Sequence, residues 1–150
     1  MSQLVNGALI SLINFGIHAV ITGLIVAVTR HMVWVTRRSG TFVRVASLLI
    51  ITMVALMCAH ILEIAVWAGY YDWIGLEVKN ATSFEFAFEN YTALGYGDAT
   101  PTEFWRLTGP ITALNGLLLV GWSVAVIFEV MRMAEVQFAR LPIKRKSGRK

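Results

Sequence analysis

The run Gly95-Tyr96-Gly97, with Asp98 directly behind it, holds the residue types in this chain that most clearly serve a chemical purpose. Glycine enters the φ > 0 half of conformational space without a Cβ penalty, so alternating glycines let successive carbonyl oxygens face one way. Carbonyl oxygens aimed at a common axis can replace the water shell of a dehydrated cation. A second set of capable residues lies inside apolar sequence: His18, and then His60 and Glu63 one helical turn apart. Ionisable groups in such surroundings usually face protein rather than lipid. His60 is therefore expected to pair with Glu63. Cys58 is the single cysteine, so no intrachain disulfide can form, and it reads as a small buried hydrophobe.

The elements that must position these residues are apolar. The chain has 150 residues, 57% of them hydrophobic and 15% charged, against about 25% charged in soluble domains. That much apolar surface does not fit inside one small core, so it faces lipid. Apolar segments run over about 4–29, 42–68 and 107–131. Each exceeds the roughly 20 residues needed to cross a hydrocarbon core of about 30 Å. Pro110 suits the first turn of the third. The first is too long, and lacks the basic start, for a cleaved signal peptide. No repeat, low-complexity stretch or soluble second domain is visible, so 1–150 reads as a single all-α membrane domain.

Orientation follows from the basic residues. Arg30, Arg37, Arg38 and Arg44 flank the first connection, and Arg132, Arg140, Lys144, Arg145, Lys146, Arg149 and Lys150 follow the third span. Lys79 and Arg106 alone serve the long second connection, which carries Asp72, Glu77, Asp98 and Glu103 on the same side. The positive-inside rule puts the first loop and the 132–150 tail in the cytoplasm and the N-terminus outside. Next to apolar segments, a net charge of +4 reads as orientation charge and lipid-headgroup contact rather than a nucleic-acid face.

The second connection is too long and too apolar for a simple loop. Thr82-Ser83-Phe84-Glu85 has capping-box spacing and predicts a short helix over 82–93. A helix too short to span, returning as irregular backbone, is a re-entrant segment; it survives at membrane depth only when buried in protein or lining a wet cavity.

Tyr91-Thr92-Ala93-Leu94-Gly95-Tyr96-Gly97-Asp98, placed after that helix and before a spanning helix, resembles the potassium-channel pore family. Its signature is Thr-Val-Gly-Tyr-Gly-Asp after a short pore helix. The resemblance covers roughly 83–131 and leaves the first span and the basic tail outside it. It implies a selectivity filter at 94–98 and potassium ions held at the carbonyls of Ala93, Leu94, Gly95, Tyr96 and Gly97. One chain supplies a quarter of each oxygen ring, which implies a homotetramer. The short helix points its partially negative C-terminal end at the axis, which favours a cation.

Other positions transfer one by one. Glu89 lies where some family members place a glutamate that shares a proton with the aspartate after the filter, here Asp98. Two carboxyls that close do not both ionise cheaply, so a bridging proton would brace the filter. Gly116 and Gly121 fall where the family carries a hinge glycine and a close-packing glycine. From Gly116, the residues Leu117, Val120, Val124 and Phe128 form one stripe of the third span, which the resemblance turns toward the axis as an inner gate.

Two departures stand out. Ala93 replaces the signature threonine and removes a hydroxyl ring from the innermost ion site; Thr92 sits one residue too early to restore it. Glu85 and Phe86 stand where relatives often carry tryptophans that clamp the filter tyrosine. No arginine series suggests a voltage sensor, and the tail could contact anionic lipid. The function implied is passive potassium conduction, with no enzymatic activity and no cofactor besides the permeant ion. One alternative keeps the pore fold in a non-conducting or weakly selective relative with a regulatory or lipid-binding role. A remoter one is a haem-binding helix bundle. Counted from the outer span ends, His18 lies about 14 residues deep and His60 about 8, roughly 9 Å apart in depth and poorly matched for one iron.

Overall fold

Long apolar runs punctuated by polar connections fold here as three long helices and one short one, in a computed structural model that describes residues 2–35, 41–95, 101 and 105–139. The helices are α1 (Ser2–Val35), α2 (Thr41–Trp73), α3 (Ser83–Tyr91) and α4 (Thr108–Ala139). By length and composition, α1, α2 and α4 can each cross a membrane. Among the described residues the fold is all-α, with one isolated antiparallel bridge, Val78 to Pro101, between the segments on either side of α3.

Two boundaries differ from those read in the sequence. The second span was expected to stop at 68, but α2 continues to Trp73, because Trp67, Tyr70 and Tyr71 pack as one buried aromatic group with Phe86 of α3. Burial of these rings holds the helix together past Gly69. The short helix stops at Tyr91 rather than 93, for a reason given below.

Helix α1 packs on α2 and α4, and α3 sits between α2 and α4. Two apolar clusters result. One gathers Ile64, Trp67, Tyr71, Phe86, Tyr91 and Leu119 around α3. The other gathers Ile25, Leu48, Leu56, Val126 and Val130 toward the opposite end of the bundle. Between them lies a layer of buried polar side chains that includes Asn14, His18, Glu63, Asn115 and Ser123. In an apolar surround an unpaired polar group costs on the order of 2–7 kcal/mol; the layer's hydrogen bonds are dense, though Asn14 Oδ1 and Asn115 Nδ2 have no partner among the described residues. Cys58, expected to be buried, is exposed on the outer face of α2; an apolar run in lipid does not tell core from surface.

Candidate ion pathway and buried polar cluster

Helix α3 begins with the expected capping box. The Thr82 hydroxyl accepts from the Glu85 backbone N–H at 3.2 Å, and the Glu85 carboxylate accepts from the Thr82 N–H at 2.7 Å. The Thr82 N–H, and the Thr82 hydroxyl donating to the same carboxylate at 2.9 Å, hold the Glu85 carboxyl below the usual glutamate range. Glu85 thus works at the start of α3. Ser83 donates to Asp72, which ties that start to the end of α2.

The other end of α3 stops abruptly. Ala93 adopts φ 55°, its N–H reaches the Asn90 carbonyl at 2.9 Å, and the Leu94 N–H reaches the Glu89 carbonyl at 3.0 Å. This bond pair is a Schellman motif, usually built on glycine at the left-handed position. Alanine hides it in the sequence, which is why the helix looked longer. Thr92 gives its hydroxyl to the Phe88 and Glu89 carbonyls at 2.9 and 3.2 Å. Leu94 follows, and then Gly95 at φ 58°. Left-handed residues therefore flank Leu94 on both sides, on backbone exposed at the surface of the chain. Tyr96, Gly97 and Asp98 lie outside the described residues, and so does the proposed Glu89–Asp98 proton bridge; Glu89 itself is half-buried.

Helix α4 comes unusually close to this end. A Cβ at Gly116 would overlap the Tyr91 carbonyl oxygen and lie 3.0 Å from its ring, and one at Gly109 would lie 2.5 Å from Asn90 Oδ1. Gly116 is a contact glycine, whereas Gly121 has open space around it. The rest of α4 divides into two faces. Thr112, Asn115, Leu119, Ser123, Val126 and Val130 are buried against the chain's own bundle. Leu117, Val120, Val124 and Phe128 are 56%, 46%, 49% and 67% exposed. The apolar stripe therefore faces away from α1 and α2. Beyond Phe128, Arg132 makes a two-pronged pair with Glu129 at 2.8 Å.

The polar layer behind this pathway centres on Glu63. Its carboxylate meets His18 Nδ1 at 2.9 Å and His60 Nδ1 at 3.1 Å, and accepts from the Tyr91 hydroxyl. His60 Nδ1 also lies 2.8 Å from that hydroxyl. On the far side of the two rings, Ser123 Oγ lies 2.9 Å from His60 Nε2 and 3.4 Å from His18 Nε2. Below the carboxylate, Asn14 donates to the Glu63 carbonyl at 3.2 Å and to Asn115 Oδ1 at 3.1 Å, where Trp67 also donates at 2.9 Å.

The expected His60–Glu63 pair is present. The expected depth difference between His18 and His60 is not: their ring centroids are 5.5 Å apart. Because α2 runs on to Trp73, His60 lies about 13 residues from its end while His18 lies about 16 from the start of α1, a difference of roughly 4–5 Å in depth. Both Nδ1 atoms point at one carboxylate rather than at opposite faces of a planar cofactor. Tyr91, Asn115 and Ser123 escaped the sequence reading as members of this site. The polar spacing Thr108, Thr112, Asn115, Ser123 on α4 was the available signal, since it marks a helical face that must avoid lipid.

Against known families, the profile described as "Ion channel" matches residues 50–133, which takes in most of α2, all of α3 and most of α4. The chain belongs to this ion channel family. It is a multi-pass membrane protein with an ion-transport fold, and α1 adds a helix outside the matched region. No curated protein and no solved structure matches it.

Proposed function

We propose that this ion channel chain assembles as a homotetramer that conducts potassium passively through a carbonyl-lined filter at residues 93–97. The observation that carries the reading is the alternation at Ala93, Leu94 and Gly95, left-handed at the two outer positions and exposed at the C-terminal end of a short capped helix. Alternating handedness turns neighbouring carbonyls in a common direction, which a single-file cation site needs. The intact Gly95-Tyr96-Gly97 run continues the pattern in sequence.

Fourfold assembly also accounts for the exposed faces. Leu94 and the stripe Leu117, Val120, Val124 and Phe128 are exposed among the described residues, and around a central axis they would line the filter entrance and an apolar inner constriction. Glu89 and Asp98 brace the filter through a shared proton. The basic 132–150 tail lies in the cytoplasm beside anionic lipid, and the N-terminus lies outside. The protein acts as a conductor, not an enzyme.

The test is flux from liposomes holding the purified full chain. Potassium and rubidium should pass well ahead of sodium. Equal sodium and potassium flux would overturn selectivity, and no flux above empty liposomes would favour the non-conducting reading, which the missing threonine hydroxyl at Ala93 supports.

A further inference from the structure

The buried cluster contains two histidines and one carboxylate that the ion pathway does not use. His18 and Glu63 have no exposed side-chain surface, and His60 is 18% exposed. One ligand atom from each lies within 4.8 Å of the others. The donors and their neighbours come from every helix: His18 from α1, His60 and Glu63 from α2, Tyr91 from α3 and Ser123 from α4.

Hydrogen bonds alone can satisfy both rings: with Tyr91 donating to His60 Nδ1 as well as to Glu63, His60 Nε2–H to Ser123 and Ser123 to His18 Nε2, each ring nitrogen has a partner and His18 Nδ1–H faces Glu63. The convergence of both Nδ1 atoms on one buried carboxylate, at 2.9 and 3.1 Å, is also the arrangement of a cation site. A cation held between the Nδ1 atoms and the carboxylate would balance the carboxylate's charge. The Nε2 atoms then carry the hydrogens and donate to Ser123 Oγ, and an outer partner on the far nitrogen is how metal-bound histidines are normally oriented.

We propose that His18, His60 and Glu63 form a binding site for a divalent transition-metal ion such as Zn²⁺, with Ser123 and Tyr91 as its outer partners. Two imidazoles and one carboxylate are a donor set that suits zinc, and a fourth coordination position would remain for water or the Tyr91 oxygen. Because Tyr91 ends the pore helix and Ser123 sits on α4, the ion would join the peripheral helices to the filter support.

The experiment uses the full chain in detergent, stripped with a chelator and titrated with Zn²⁺ and, separately, Co²⁺. One Zn²⁺ should bind per chain, and Co²⁺ should show the visible bands of nitrogen and oxygen coordination. His18→Asn and His60→Asn, which keep a side-chain N–H at the Nδ1 position toward Glu63, should weaken Zn²⁺ binding at least tenfold. Ser123→Ala should weaken it by about tenfold through the lost outer partner. Cys58→Ser and His31→Ala should leave it unchanged. The parent's Co²⁺ spectrum decides the matter even where a variant does not fold. A parent with no Co²⁺ bands and no stoichiometric Zn²⁺ uptake overturns the site and leaves the cluster as a hydrogen-bond network. Zn²⁺ binding that survives both histidine substitutions, or that is lost with Cys58 or His31, overturns it equally.

Discussion

The Tyr91 hydroxyl donates to the Glu63 carboxylate, so the last residue of α3 is bonded to α2. Tyr91 is almost fully buried and its backbone carbonyl rests against Gly116 of α4. One residue therefore connects the end of α3 to two long apolar helices. Hydrogen bonds to a buried charged group stabilise by about 1.5–3 kcal/mol. Tyr91→Phe keeps the ring and its packing but removes the donor. It should lower stability in detergent by about that amount; unchanged stability would show that Glu63 does not depend on this bond.

At Gly116 the expected outcome is steric. A methyl group there meets backbone rather than a flexible side-chain end, and overpacking of this kind costs about 1–3 kcal/mol. Gly116→Ala should reduce thermal stability and separate α3 from α4. Gly121→Ala, with nothing within 4 Å of its Cβ among the described residues, should be neutral or gain up to about 1 kcal/mol from helix propensity. Equal losses at both positions would indicate that Gly121 packs against another subunit.

Ala93 offers a test of the helix stop. A left-handed non-glycine residue costs roughly 1–2 kcal/mol, so Ala93→Gly should stabilise the protein by about 1 kcal/mol. Ala93→Thr restores the hydroxyl of the family signature but places a β-branched residue at φ 55°. It should cost stability while tightening internal barium block. If barium block is unchanged, the innermost ion site is not built from this side chain.

The pH dependence of the pore-helix cap has a defined sign. Glu85 is held below its usual range by bonds from Thr82, so its contribution to the folded state is present above the ordinary glutamate value of about 4.3. That contribution is lost as pH falls through the depressed folded value. Amide exchange in the first turn of α3, corrected for intrinsic rates, should therefore accelerate at acid pH. Thr82→Ala should accelerate it at neutral pH and flatten the dependence. An acid response identical in parent and variant would remove Glu85 from the cap.

Phe128 is the largest and most exposed member of the α4 stripe. If four such rings form a dewetting constriction, Phe128→Ser should raise resting ion flux. Cysteines at Val124 and Phe128 should react with water-soluble thiol reagents from the cytoplasmic side in a state-dependent way. Unchanged flux together with inert cysteines would move the constriction to the filter.

Three long apolar helices, a short capped helix and a φ > 0 glycine at Gly95 were legible in the residues alone, because each depends on local rules. Apolar length sets what can cross a bilayer, Thr82 and Glu85 satisfy backbone donors within one turn, and glycine's conformational freedom is intrinsic. The His60–Glu63 pair was legible for the same reason, being one turn apart on a single helix. The extent of α2 was not local: burial of Tyr70 and Tyr71 against Trp67 and α3 carries it to Trp73. That extension shifts His60 in depth relative to His18, and only the packing of α1 on α2 brings both rings to one carboxylate. Apolar periodicity could not assign the faces of α4 either, since lipid, a pore axis and a neighbouring helix all accept the same side chains. The buried polar stripe decided only which face turns into the bundle, because Asn115 Oδ1 and Ser123 Oγ meet their partners there.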